Sequence, residues 1–142
     1  MPEIEFLILA DSAEVVNNKL YMMGGGWNNI QRRAGADGMA PPSVFSVAIS
    51  VLVGWHETNV KHKLHLRIED EDATQCLAEL YADFEVGRPS GIAPGSDQRA
   101  LLAITASVAF PSAGIYRVLA EVGDSSRSVS FQVHDLPPSV AL

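Results

Sequence analysis

Apolar and polar residues alternate with period two in short runs separated by turn residues, the pattern of strands with one buried face. The first run is Glu3 to Ala10, with Ile4, Phe6 and Ile8 predicted on one face. Residues 11–16 have room for one short helical turn, and Asn17-Asn18-Lys19 reads as a tight turn because asparagine tolerates positive φ. A second run, Leu20 to Ile30, contains Gly24-Gly25-Gly26-Trp27, and residues 31–42 form a Gly/Pro-rich surface loop. From Ser43 to Trp55 the alternation puts Phe45, Val47, Ile49, Val51, Val53 and Trp55 on one side. Runs follow at His62 to Asp70, Gln75 to Val86, Arg99 to Phe110, Ile115 to Val122 and Arg127 to His134, with a second long loop over 88–97. The tail 135–142 is irregular, since consecutive prolines cannot donate to a sheet ladder. Nothing longer than a turn has helical spacing. The expected fold is all-β: one antiparallel β-sandwich domain over residues 1–142, of about eight strands, immunoglobulin-like or Greek-key.

Two hairpins can be read in register. Pairing Arg67 with Glu79, His65 with Tyr81, Lys63 with Asp83 and Lys61 with Glu85 gives one charge-complementary face. The same register sets Ile68 against Ala78, Leu66 against Leu80, Leu64 against Ala82 and His62 against Phe84 on an apolar face. A one-residue slip would mix the two faces, so this register is strongly specified. In the last hairpin Tyr116, Val118, Ala120 and Val122 alternate inward with Val129, Phe131 and Val133, around Gly123-Asp124-Ser125-Ser126. Gly114-Ile115-Tyr116 resembles the corner tyrosine of immunoglobulin-type sandwiches, whose hydroxyl bonds nearby backbone.

Composition narrows the function classes. A chain of 142 residues with 47% hydrophobic content buries a core without staples. A net charge of −7 argues against nucleic acid, whose phosphates need a positive footprint. The acidic start lacks the basic segment and long apolar stretch of a secretory signal, and no apolar window reaches a membrane span. These features lead to the expectation of a cytoplasmic protein with no membrane partner.

Candidate chemistry is sparse. His62 and His65, three apart on a strand, face opposite ways and cannot share a metal. His56 beside Glu57, and His134 beside Asp135, are the weak candidates for a metal site. The acidic run Glu69-Asp70-Glu71-Asp72 lacks the glycine and spacing of a calcium loop and reads as a solvated tip. Gly24-Gly25-Gly26 lacks the lysine and following helix of a phosphate loop, and Trp27 after it reads as a core residue. Cys76 shares the parity of Ala78 and Leu80 and is expected to be a buried, inert thiol. No nucleophile stands with a base, so neither catalytic residues nor a cofactor are predicted.

The stretch Leu9-Ala10-Asp11-Ser12-Ala13, then Asn18-Lys19-Leu20-Tyr21 and Gly24-Gly25-Gly26-Trp27, resembles a family of small bacterial β-sandwich proteins of unknown function. The resemblance implies the fold and makes the glycines a fold feature; it implies no activity. The expected function is a non-enzymatic protein-binding or assembly module that meets a protein partner or a second copy. Its expected contact surface is the small-residue faces Leu101, Ala103, Thr105, Ser107 and Ala109, and Ser46, Ala48 and Ser50. The alternatives are a small-molecule- or metal-dependent enzyme built at one tip of the sandwich, and a structural subunit of a larger particle such as a virion.

Overall fold

The computed structural model describes residues 1–35 and 38–137. These form nine strands and one short 3₁₀ turn: β1 (Glu3–Val16), β2 (Lys19–Gly25), β3 (Asn29–Arg32), β4 (Ser43–Val53), the turn Trp55–Glu57, β5 (His62–Asp70), β6 (Cys76–Phe84), β7 (Gln98–Val108), β8 (Gly114–Val122) and β9 (Ser125–Asp135). One sheet has the order β2-β1-β4-β7, the other β3-β9-β8-β5-β6. Their inner faces enclose a core in which Phe45, Val47, Ile49, Leu64, Ile68, Val118 and Phe131 are almost fully buried. Trp27 packs edge-on against Phe45 (5.7 Å) and Phe131 (6.3 Å), closing one end of that core as its sequence position suggests.

Turn chemistry sets the hairpins. Asn17 and Asn18 both take positive φ between the paired residues Val16 and Lys19, the geometry of a tight hairpin turn whose twist matches the strands. Gly123 supplies positive φ at the first turn position between Val122 and Ser125. The β5–β6 register runs as predicted from His62↔Phe84 to Ile68↔Ala78. The Tyr116 hydroxyl donates to the Ser112 carbonyl at 2.7 Å, as expected of a corner tyrosine.

Several expectations need correction. Residues 11–16 are strand, not a helical turn, because they pair with β2. A bulge between Ile4 and Phe6 shifts the parity of β1. Leu7 and Leu9 therefore face inward with Ile4, whereas Phe6 and Ile8 face outward opposite Ser50 and Ala48. A second bulge at Ile68/Glu69 places Cys76 opposite Glu69, so the thiol is exposed rather than buried. The run Leu20–Ile30 splits into two strands in different sheets, turned by Gly24 (φ 62°) and Gly26 (φ 89°). Gln31 and Arg32 belong to β3 rather than to the loop, and β3 pairs with β9 in parallel, an exception to the antiparallel expectation. Trp55 leaves the strand for the 3₁₀ turn, where the Arg88 guanidinium lies 4.0 Å over its ring. Residues 36–37 of the first loop and 138–142 of the tail lie outside the described residues. Asp135 belongs to β9 rather than to the tail, because it pairs with Arg32, and the Leu136 amide still donates to the Arg32 carbonyl at 2.8 Å.

The β1–β2 hairpin outruns the pairing of β1 with β4, which stops at Ala10↔Ser46. Its far half crosses back over the outer face of the same sheet. Both β1 and β2 contact β7, although β4 lies between β1 and β7. Asn18 at the hairpin tip borders a recess with Asp97–Leu102. This crossing accounts for the burial of Ser46, Ala48 and Ser50, whose side chains point away from the core (2% exposed or less). Small residues there let two backbones approach closely. Ala48→Leu is expected to overpack this contact and cost about 1–3 kcal/mol in urea denaturation, where an open sheet face would leave the midpoint unchanged. Tyr116→Phe is expected to cost about 1 kcal/mol by the same measurement, from loss of the Ser112 bond.

Candidate functional site

The predicted contact surface is only partly available. Ser46, Ala48 and Ser50 are covered by the chain's own hairpin, so they present nothing to a partner. On β7, Thr105 and Ser107 are exposed and Leu101 and Ala103 half-buried, and Ala109 just beyond its end is exposed. Thr105 and Ser107 sit on the rim of a different feature, formed where β6 and β7 face each other.

β6 ends one sheet and β7 ends the other, and each pairs on one side only among the described residues, with β5 and β4 respectively. The two edges run antiparallel past each other. Ala78 and Leu80 lie across from Ile104 and Ala106, and Phe84–Gly87 lie across from Asp97–Leu102. Between them is a slot. Its inner part is a recess of about 180 Å³ lined by Leu66, Ile68, Ala78, Leu80, Ile104 and Ala106, with Glu79, Thr105 and Ser107 also bordering it. Leu66 and Ile68 are core residues (3% and 2% exposed), so the slot reaches the core itself. The inward-facing residues of the two edges, including Leu80, Ala82, Phe84, Leu102 and Ile104, are only half-buried, unlike their equivalents on β4 and β5. At its other end the slot widens into a polar recess of about 550 Å³ bordered by Asn18, Glu85, Asp97 and Arg99. Arg99 is held by a two-pronged ion pair to Glu5 (2.8 and 3.0 Å), which keeps the Glu5 carboxyl below its ordinary range. Glu85 and Asp97 are exposed there.

These slot residues were legible only as ordinary core positions. The one available signal was the run of alanines at inward sites, Ala78, Ala82 and Ala106, where bulkier residues would have filled the space.

The two histidine–carboxylate pairs are not brought together. His56 and Glu57 sit in the 3₁₀ turn at the end of the sandwich that holds the Gly123 turn, since the Met1 amino group meets Glu57 and the Met1 side chain approaches Gly123. His134 and Asp135 lie at the far end of β9, roughly 30 Å along an extended strand from Ser125. Asp135 is ion-paired with Arg32, whose guanidinium lowers its pKa. Among the described residues no three histidine, cysteine or acidic side chains group as a metal would need. His62 and His65 do face opposite ways: His62 Nε2 meets the Glu57 carbonyl at 2.8 Å, while His65 stacks on Tyr81 at 4.3 Å on the outer face.

The acidic run is divided by the strand pleat. Glu69 is buried (4% exposed) and receives the Arg117 guanidinium (Nε at 2.6 Å), so it does not belong to a solvated tip. Asp70 accepts from the Thr74 hydroxyl and from the Thr74 and Gln75 amides, closing the β5–β6 turn. Those bonds, the Thr74 hydroxyl foremost, hold its carboxyl below the ordinary carboxylate range. A depressed folded-state pKa contributes stability that is complete above the unfolded value and is lost as pH falls through the folded one. The urea midpoint is therefore expected to fall on acidification from pH 6 to pH 3. Asp70→Asn is expected to lose less over that range; equal losses in the two proteins would contradict the capping role.

The Gly-rich stretch has a structural explanation. Gly24 takes positive φ with the Asp11 carboxylate against it, where a side chain would collide, and the Gly26 amide donates to the Leu9 carbonyl at 2.8 Å. No helix among the described residues is long and apolar enough to cross a membrane. A comparison with curated proteins finds no match. A family model described as a family of unknown function (DUF6941) matches residues 5–134. With the all-β fold that its sequence resemblance implied, the chain is thus a member of the DUF6941 family.

Proposed function

We propose that the chain is a non-enzymatic protein-binding module that engages its partner along the open side of the sandwich. The observation that carries this reading is the slot between β6 and β7, with core residues at its floor and a free backbone edge on either wall. Edge strands invite pairing, and folded proteins usually blunt them with proline, lysine or a covering segment. β6 carries neither proline nor lysine over Cys76–Phe84. Of its acids, Asp83 pairs in register with Lys63, and Glu79 borders the inner recess beside His65. The immunoglobulin-like reading of the sandwich accords with this role and is supported by the Tyr116 corner. A cytoplasmic setting accords with it as well.

A second reading, assembly with further copies, is favoured by one observation. The β1–β2 hairpin exposes Tyr21 (53%) and Met23 (74%) on β2, which is itself an edge strand.

The two readings separate by site-specific photo-crosslinking in native cells, with a benzophenone side chain at Ala106, at Met23 or at Ser128 on the opposite sheet's outer face. The module reading predicts a discrete heterologous adduct from position 106 and none from 128. Adducts of the chain with itself from position 23 alone would replace it by assembly, and equal labelling from all three positions would contradict both.

A further inference from the structure

Resting on the binding-module reading, the geometry points to one occupant for the slot: an extended partner segment added to β6 as a sixth strand. It would run antiparallel to β6, with a large aliphatic side chain in the inner recess and a lysine or arginine at the polar end. Three features of the slot specify this chemistry.

The first is backbone. β6 has one edge satisfied by β5 and the other open, and an incoming strand supplies the missing donors and acceptors in the manner of β-augmentation. β6 is the better wall because the tip of the β1–β2 hairpin flanks the start of β7. Antiparallel pairing is the more stable ladder, which fixes the direction of the guest.

The second is volume. A dry cavity of about 150 Å³ lined by leucine, isoleucine and phenylalanine holds a benzene molecule. The recess of about 180 Å³ beside Leu66, Ile68, Leu80 and Ile104 therefore takes one leucine- or isoleucine-sized group. Side chains of an added strand share a face with the residues they pair, so the guest residue opposite Leu80 enters this recess. The next two on the same face lie opposite Ala82 and Phe84, where the wall is partly filled and medium apolar groups suffice.

The third is charge. The guest residue opposite Val86 arrives at the polar recess bordered by Glu85 and Asp97. Neither carboxylate makes a hydrogen bond or an ion pair among the described residues, whereas Arg99 beside them is already taken by Glu5. A cation at that guest position completes the end of the slot. The residues opposite Val86 and Leu80 are six apart, roughly 20 Å of extended chain, which matches the reach from one recess to the other.

The test uses the whole chain and an acetylated, amidated octapeptide of sequence Lys-Thr-Val-Thr-Val-Thr-Leu-Thr, titrated by fluorescence anisotropy, with amide exchange followed by NMR. Saturable binding with new protection confined to β6 is expected. Replacing the peptide leucine with aspartate should abolish it. Replacing its lysine with glutamate should weaken it about tenfold, and the double variant Glu85→Lys/Asp97→Lys should restore that loss. Ala106→Phe, which fills the recess from the β7 side, should abolish binding while leaving the urea midpoint within a few tenths of a molar. No binding at millimolar peptide, or binding indifferent to Ala106→Phe and to the charge exchange, would overturn the assignment. If the Ala106 crosslink in cells forms while the peptide fails to bind, the module reading stands and this occupant is wrong. If a second copy of the chain fills the slot, seen as a concentration-dependent dimer abolished by Ala106→Phe, the heterologous occupant is likewise wrong.

Discussion

A β-sandwich must satisfy its strand edges as well as its core, and in this protein the two sheets meet unequally along their sides. On one side β1 closes against β9. The Ile4 amide donates to the Ser125 hydroxyl at 3.0 Å, and the Arg127 guanidinium donates to the Ile4 carbonyl at 3.1 Å. On the other side β6 and β7 approach without pairing, and their inward side chains stay half-exposed. Backbone hydrogen bonding is obligatory for buried groups and optional only where water reaches them. The open side can therefore persist only as a solvated slot or a filled one. On the first side the sheets end in β2 and β3, the latter paired in parallel with β9.

Much of the local structure was legible because it follows from residue chemistry at short range. Asn17-Asn18 specifies its turn through positive φ, and the β5–β6 register follows from the cost of mixing two unlike faces. Legibility failed where one extra residue enters a strand. The bulge after Ile4 exchanged Phe6 and Ile8 for Leu7 and Leu9, and both pairs are apolar, so the pattern gave no warning. The bulge after Ile68 turned Cys76 outward for the same reason. β3 is four residues long, too short to show a period, and its parallel partner lies a hundred residues away.

The candidate site was less legible than the fold, and the reason is topological. Alternation tells which residues face a core but not which strands end a sheet. Ala78 and Leu80 read as interior, and only the strand order shows that β6, which carries them, and β7, which faces it, are edges. The reverse error befell Ser46, Ala48 and Ser50, which read as an outer face and are buried beneath the hairpin. Charge was misplaced similarly: Glu69, read as part of a solvated tip, is taken by Arg117. Glu85, expected to face Lys61, lies beyond the β5–β6 ladder and makes no ion pair among the described residues. The acids left without partners at Glu85 and Asp97 then mark one end of the slot.

The most direct test of this account is native-state amide hydrogen exchange along β6, resolved residue by residue. An open edge predicts alternation over Cys76–Phe84. Amides donating to β5 should be protected nearly as well as those of β5 and β8, and those pointing into the slot should exchange close to the rates of an unstructured chain. Uniform protection along β6 in the isolated protein would contradict the account, because it would show that both edges of the strand are already paired.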